Sequence, residues 1–280
     1  MADATITVLV ENTAGGRGLL GEHGLSFWIE VGGRRILFDT GQGIVLAGNA
    51  ERLGVVLREV DAVVLSHGHY DHAGGLADVL SSAPRVPIHM HPAALRDRYA
   101  RNADGSARSV GIPDQIRAAM RESATMVFVD GPADVGGVLR LTGPVPRVTD
   151  FEDTGGAFFL DTGCREPDEL VDDQAAFLET SEGTVVILGC AHAGVINTLG
   201  YVSELTCGRL IHTVIGGMHL HQAGDVRMDA TVNEFRELGV QHLLPCHCTG
   251  FAAAARLWQE FPGSCSACRV GTVIEVQNVV

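Results

Sequence analysis

One stretch constrains this chain more than any other: SHGHYDHAGG, residues 66–75, directly after the apolar run VDAVVL of residues 60–65. Four metal-donor side chains, His67, His69, Asp71 and His72, are packed into it. In extended backbone, residues two apart face the same way, so His67 and His69 approach one ion together. A helix is expected over 73–81, and Asp71 and His72 lie where the chain turns into it, facing a second ion. Three imidazoles and a carboxylate suit zinc, one or two ions, with manganese or iron also compatible. Chance clustering is the competing account in a chain with 12 histidines, but chance does not explain a position at the end of an apolar strand.

The rest of the chain reads as a two-sheet frame for that loop. Runs rich in β-branched and aromatic residues predict strands at 5–10, 25–31, 34–38, 61–65, 86–90, 125–129, 137–142, 156–160, 175–180, 184–188, 210–215 and 270–276. Helical patterns occur at 73–81, 92–99, 113–122, 194–205, 226–239 and 249–260. That is too many strands for a small α/β sheet. Their hairpin-like order suits two sheets face to face with helices outside, an α/β fold in four layers, αββα. Gly32-Gly33 is a two-residue hairpin turn, since glycine accepts positive φ without steric cost.

A chain of 280 residues, 46% hydrophobic and 19% charged, can bury one sizeable core, and no linker or repeat divides it. We therefore expect a single domain over 1–280, with 84–150 as a pocket-forming insertion. The net charge of −14 repels a phosphate backbone, so nucleic acid is not an expected partner. No apolar run approaches the roughly 20 residues that cross a bilayer, and the start MADATITVLVEN lacks a basic, long-apolar signal; a cytoplasmic protein without membrane partners is expected. Seven cysteines in such a chain point to thiols or metal ligands rather than disulfides. Nothing in the sequence sets the oligomeric state.

The motif SHGHYDHAGG resembles the HxHxDH signature of the metallo-β-lactamase superfamily, whose fold is the αββα sandwich. The flavodiiron branch has a carboxylate where this chain has His69, so the sequence is more similar to the zinc-type hydrolytic branches. Asp39 in FDTG resembles the superfamily's supporting aspartate. A narrower resemblance rests on GEHGLSF (21–27), PDELVDDQ (167–174), GCAHAGVIN (189–197), GGMHL (216–220) and PCHCTG (245–250). These look like the branch named for 7,8-dihydropterin-6-methyl-4-(β-D-ribofuranosyl)aminobenzene-5′-phosphate synthase. The resemblance implies His192 and His247 as the remaining metal ligands. Where the superfamily has an aspartate bridging two ions, this chain reads Gly189-Cys190-Ala191-His192. Cys190, Asp172 or Asp173 would replace that aspartate, or the site would hold one tightly bound ion.

Other side chains carry two readings each. His219, after Gly216-Gly217, is placed as a catalytic acid or hydrogen-bond donor beside Asp71, while His221 reads as a solvated loop histidine. His23, in the glycine-rich loop 15–24, is a candidate substrate contact; His89 and His91 read as structural. Cys246, Cys248, Cys265 and Cys268 have the spacing of a four-thiolate zinc site, but such a site would pull His247 away from the first centre. Arg96, Arg98 and Arg101 are either anion contacts or a solvated helix face.

The expected function is a metal-dependent hydrolase acting on a small anionic metabolite through a metal-bound hydroxide, with Asp71 orienting the water and handling its proton. The alternative implied by the branch is a synthase-like transferase, in which an aromatic carbon displaces a pyrophosphate ester. A metal- or ligand-binding sensor without turnover is the reading from another class.

Overall fold

The computed structural model describes residues 2–280. A hydrogen-bonded ladder runs in the order His242–Cys246, Ile211–Gly217, Gly183–Leu188, Ala176–Thr180, Val273–Val279, Ala2–Val10, Ser26–Val31, Arg34–Phe38, Ala62–Val64, Pro87–Met90, Thr125–Phe128. Leu139–Leu141 and Ala133–Val135 extend from Ala176–Thr180 on a side branch. The link between Ala176–Thr180 and Val273–Val279 is a single pair, Thr180 with Val279, and the ladder folds back on itself there into two facing halves.

Period-2 alternation assigns every side chain to a layer. Phe27, Ile29, Ile36, Phe38 and Val64 of one half meet Ala176, Leu178, Val185, Ile187 and Ile215 of the other in a central core. Their sequence neighbours point outward. Trp28, Leu37 and Val63 pack under Leu46–Arg52, Leu76–Ser82 and Asp114–Ser123. Phe177, Val186 and Val214 pack under Val195–Leu205, Asp225–Glu237 and Phe251–Glu260. Three cores separate four layers, the αββα sandwich expected from the order of elements. The turn Gly32-Gly33 has φ of 56° and 75° and pairs Val31 with Arg34 across the hairpin.

All twelve expected strands are present within a few residues of their expected bounds. The expected helix 92–99 is a correction: only Pro92–Leu95 makes a single 3₁₀ turn, Arg96 is extended, and Tyr99–Arg101 is a strand. The Arg98 guanidinium is fully buried against Asp168 and Asp172, an attraction that outweighs local helical preference. Helix Leu46–Arg52 had no sequence signal; it is short, contains Gly48, and is held by buried Asn49, whose amide donates to the carbonyls of Leu9 and Leu20. Tyr99–Arg101, Ala107–Ser109 and Phe158–Phe159 form a separate three-stranded sheet beside the sandwich.

Candidate metal centre

In each half of the sandwich a set of strands runs parallel: Arg34–Phe38, Ala62–Val64 and Pro87–Met90 in one, Gly183–Leu188, Ile211–Gly217 and His242–Cys246 in the other. Loops leaving the carboxyl ends of these strands meet at one edge. Four turns there use left-handed backbone on non-glycine residues: Asp39 (φ 58°), Ala191 (54°), His219 (45°) and His247 (50°). Such conformations are costly and concentrate where surrounding structure enforces a site.

The side chains brought together are those the motif and the resemblance single out. Ring nitrogens of His67, His69 and His192 lie within 4.8 Å of one another, one triad of donors. Beside them, His72 Nε2 is 3.2 Å from His247 Nε2, and Asp71 Oδ2 is 3.4 Å from His247 Nε2 and 3.9 Å from His72 Nε2. His23, half-exposed, reaches Asp71 Oδ2 at 3.1 Å.

The outer nitrogens decide which way the lone pairs point. His72 Nδ1 donates to Asp39 Oδ2 (2.7 Å) and His192 Nδ1 to the Thr154 carbonyl (2.7 Å). His247 Nδ1 donates to Asn12 Oδ1 (3.0 Å). Ser66 Oγ gives its own proton to Asp39 Oδ2 and so accepts from His67 Nδ1 (2.9 Å). With each Nδ1 protonated, all four rings turn Nε2 inward, and an ion that displaces any second proton would find the lone pair of each aimed at it. Burial first, then the neighbouring imidazoles, holds His67 well below the ordinary histidine range, and burial with Arg98's charge does the same to His69. His192 is likewise held down by burial and by His69. At His72 burial is outweighed by Asp39 and Asp71, which push it up to about 9. A positive charge is wanted at that position, whether carried by a proton or a metal ion.

These donors fit a metal ion. A tetrahedron around zinc with Zn–N of about 2.0–2.1 Å has edges of about 3.3–3.4 Å, and His67 Nε2 to His69 Nδ1 (2.9 Å) and His72 Nε2 to His247 Nε2 (3.2 Å) are close to that length. Nε2 of His192 is buried with no hydrogen-bond partner, a cost that an ion would remove.

Of the three substitutes for the bridging aspartate, the structure takes two elsewhere. Asp172 is paired with Arg98 (2.5 and 2.8 Å) and accepts the Gly68 amide (2.7 Å), so it braces the loop between His67 and His69 from behind. A side chain at Gly68 would collide with the Ala94 carbonyl, its Cβ only 2.1 Å from that oxygen. Asp173 accepts the Ala193 amide (2.8 Å) and braces the His192 loop in the same way. Cys190 is inside the cluster, Sγ 3.1 Å from His72 Nε2. The four-thiolate arrangement does not form among the described residues: Cys246 contacts Cys268, Cys248 lies against the Cys190 carbonyl (3.6 Å), and Cys265 is beside Trp258.

The cluster is the floor of a cleft of about 630 Å³. His219 and His221 are on its wall with Phe158, Arg101 and Arg108. The His219 ring packs tilted against His192, centroids 4.4 Å apart, and burial with that neighbour holds its pKa far below the ordinary range. Arg98 is no anion contact, and Arg96 is an exposed residue outside the cleft lining. Arg108 had no sequence signal, because the sheet that carries it was not legible. Ser66, Asn12 and Thr154 were missed too; only Ser66 adjoins the motif, and Thr154 acts through its backbone. His91 Nδ1 accepts the Ala93 amide, and His89 is held in Pro87–Met90, both away from the cluster.

A two-sheet sandwich carrying a buried cluster of histidines, an aspartate and a cysteine at one edge defines an αββα protein with the donor set of a metal centre. The family model of the metallo-β-lactamase superfamily matches residues 20–227. This chain belongs to that superfamily. It is 34% identical to an uncharacterised protein of Methanocaldococcus jannaschii over 91% of this chain and 94% of that protein. It is 26% identical to the 7,8-dihydropterin-6-methyl-4-(β-D-ribofuranosyl)-aminobenzene-5′-phosphate synthase of the same organism, over 91% and 90%. A solved structure described as a metal-dependent hydrolase of the β-lactamase superfamily superposes with a TM-score of 0.83 at 33% identity, covering 98% of this chain and 99% of the other. Among the described residues no helix is long and apolar enough to cross a membrane.

Proposed function

We propose that this protein is a metal-dependent hydrolase of a small anionic metabolite, with His67, His69 and His192 holding one ion and Asp71, His72 and His247 a second. The observation that carries the reading is the inward ring of imidazole nitrogens under an open cleft. Bound zinc would polarise an ester, amide or phosphoryl oxygen and acidify water beside it. Asp71, at the edge of the second triad, would orient that water and take up its proton. His23, at 3.1 Å, offers a half-exposed route for that proton to solvent. His219, kept neutral on the cleft wall, is a hydrogen-bond donor or acceptor for substrate.

Anion preference is argued from the wall. In a chain of net charge −14, Arg101 and Arg108 line the cleft, and neither pairs with a carboxylate among the described residues. Arg101 is steadied by the Cys164 carbonyl (2.6 Å) and by the Phe159 ring, and Arg108 lies beside the Tyr70 hydroxyl. The expected result is that Arg101→Ala and Arg108→Ala raise KM for an anionic ester roughly tenfold, in keeping with a charged hydrogen bond, and leave a neutral ester unchanged. Equal effects on both substrates would remove the anion contact from the reading.

Metal content is the direct test of the centre. Protein from metal-supplemented expression should carry one or two transition-metal ions per chain, and less than a tenth of an equivalent by elemental analysis would sink the hydrolase reading. His192→Ala should weaken metal binding by more than the roughly 10–100-fold that loss of a supporting group costs; unchanged affinity in a metal titration would take His192 out of the ligand set.

The synthase relative supports a second reading, transfer to a second substrate in the same cleft. Product formed only when a second substrate is added would favour it over hydrolysis.

A further inference from the structure

We propose that Cys190 is the bridging ligand of the metal centre, so that a thiolate occupies the position between the two ions. The inference deepens the proposed metal centre and rests on it. Cys190 falls into three candidate groups, more than any other residue: with His67 and His72, with His192 and His219, and with His247 and Cys248, in each case with all donor atoms within 4.8 Å of one another. It therefore stands within reach of the His67–His69–His192 triad and of the His72–His247 pair at once. Its side chain is 3% exposed, and its Sγ approaches His72 Nε2 at 3.1 Å, the same inward nitrogen that meets His247.

The other acids are accounted for. Asp39 is consumed by Ser66 and His72, Asp172 by Arg98 and Gly68, and Asp173 by Ala193. Asp71 lies on the His247 side of the cluster and appears in no group with His67, His69 or His192. Among the described residues no carboxylate shares a donor group with both sets of histidines, and the Cys190 sulfur does. Cys248 shares a group with Cys190 and His247, so it is a flanking thiol on the second-ion side only.

Two consequences follow from sulfur chemistry. Binding of the ions releases the Cys190 thiol proton to solvent as the metal–sulfur bonds form. A polarizable thiolate favours zinc or iron over manganese, against the oxygen-rich preference an aspartate bridge would confer.

X-ray absorption on the zinc-loaded wild-type protein reads the bond without any mutation: a sulfur shell at about 2.3 Å is expected beside the nitrogen shell at about 2.0–2.1 Å. Cobalt-loaded protein should show a sulfur-to-metal charge-transfer band that persists in Cys248→Ser and is lost in Cys190→Ser, with metal content falling from two ions towards one. Cys190→Asp should restore the second ion without the band and shift the zinc-to-manganese preference toward manganese by roughly tenfold or more. Ions bound with only nitrogen and oxygen neighbours would overturn the thiolate bridge while leaving the metal centre standing. A band that vanishes in Cys248→Ser and survives in Cys190→Ser would overturn it equally. Failure to bind any ion would overturn the centre itself.

Discussion

Asp71→Asn should lower turnover by about 10²–10⁴-fold, the range that a positioned proton-transfer group contributes, while the folded protein keeps its wild-type circular dichroism. The substitution preserves shape and removes charge. Burial on its own would raise the Asp71 carboxyl, but the charge of His72 and the adjoining His23 and His247 rings outweigh it and hold the group well below the usual carboxylate range. The carboxylate is thus ionised beside the second group of donors, where asparagine offers neither the charge nor a base. Assays at saturating zinc, with the most active ester or phosphodiester from a chromogenic panel, separate this loss from weaker metal binding. Parallel loss of fold and activity would assign Asp71 a structural role, and undiminished turnover would remove it from the chemistry.

Arg98→Ala should destabilise the fold by about 3–5 kcal/mol, the cost of leaving a buried charge without its partner. Arg98 is fully buried between Asp168 (2.9 Å) and Asp172 (2.5 Å), both buried themselves. Removing it strands two carboxylates in the interior and frees Asp172, which holds the Gly68 amide between His67 and His69. The loss should therefore appear twice, as a lower urea midpoint of the metal-free protein and as weaker zinc binding. Arg98→Lys should recover only part of it, since an ammonium cannot reproduce the planar, forked hydrogen bonds to Asp172 together with the ion pair to Asp168. An unfolding free energy within about 1 kcal/mol of wild type would show that the pair is replaced by water.

Much of this was legible in the chain. A strand buried on both faces reads as an apolar run, and Val63-Val64-Leu65 and Val185-Val186-Ile187-Leu188 announce themselves. Close sequence spacing carried the clustering of His67, His69, Asp71 and His72, because extended backbone and a helix start fix which way each side chain turns. Where the partner is distant in sequence, the signal vanishes. Arg98 looked like part of a helix, since its pairing with Asp168 and Asp172 spans about seventy residues and no local pattern encodes it. Cys246, Cys248, Cys265 and Cys268 have the spacing of a zinc site, which the place of His247 argued against, and the sheet sends Cys248 to Cys190 and Cys246 to Cys268.

The sequence by itself determined the layered architecture and the first four donors, because period-2 burial and the reach of a six-residue turn are local properties of backbone geometry. Only the tertiary structure decided which nitrogen of each histidine faces inward. It also decided that Asp172 and Asp173 brace loops, that Cys190 stands between the donor groups, and that Arg108 joins Arg101 at the cleft. Those outcomes depend on Ser66, Thr154, Asn12 and Arg98 meeting residues brought from other strands. Hydrogen bonds and ion pairs act over about 3 Å, and which groups come that close is set by how two sheets pack.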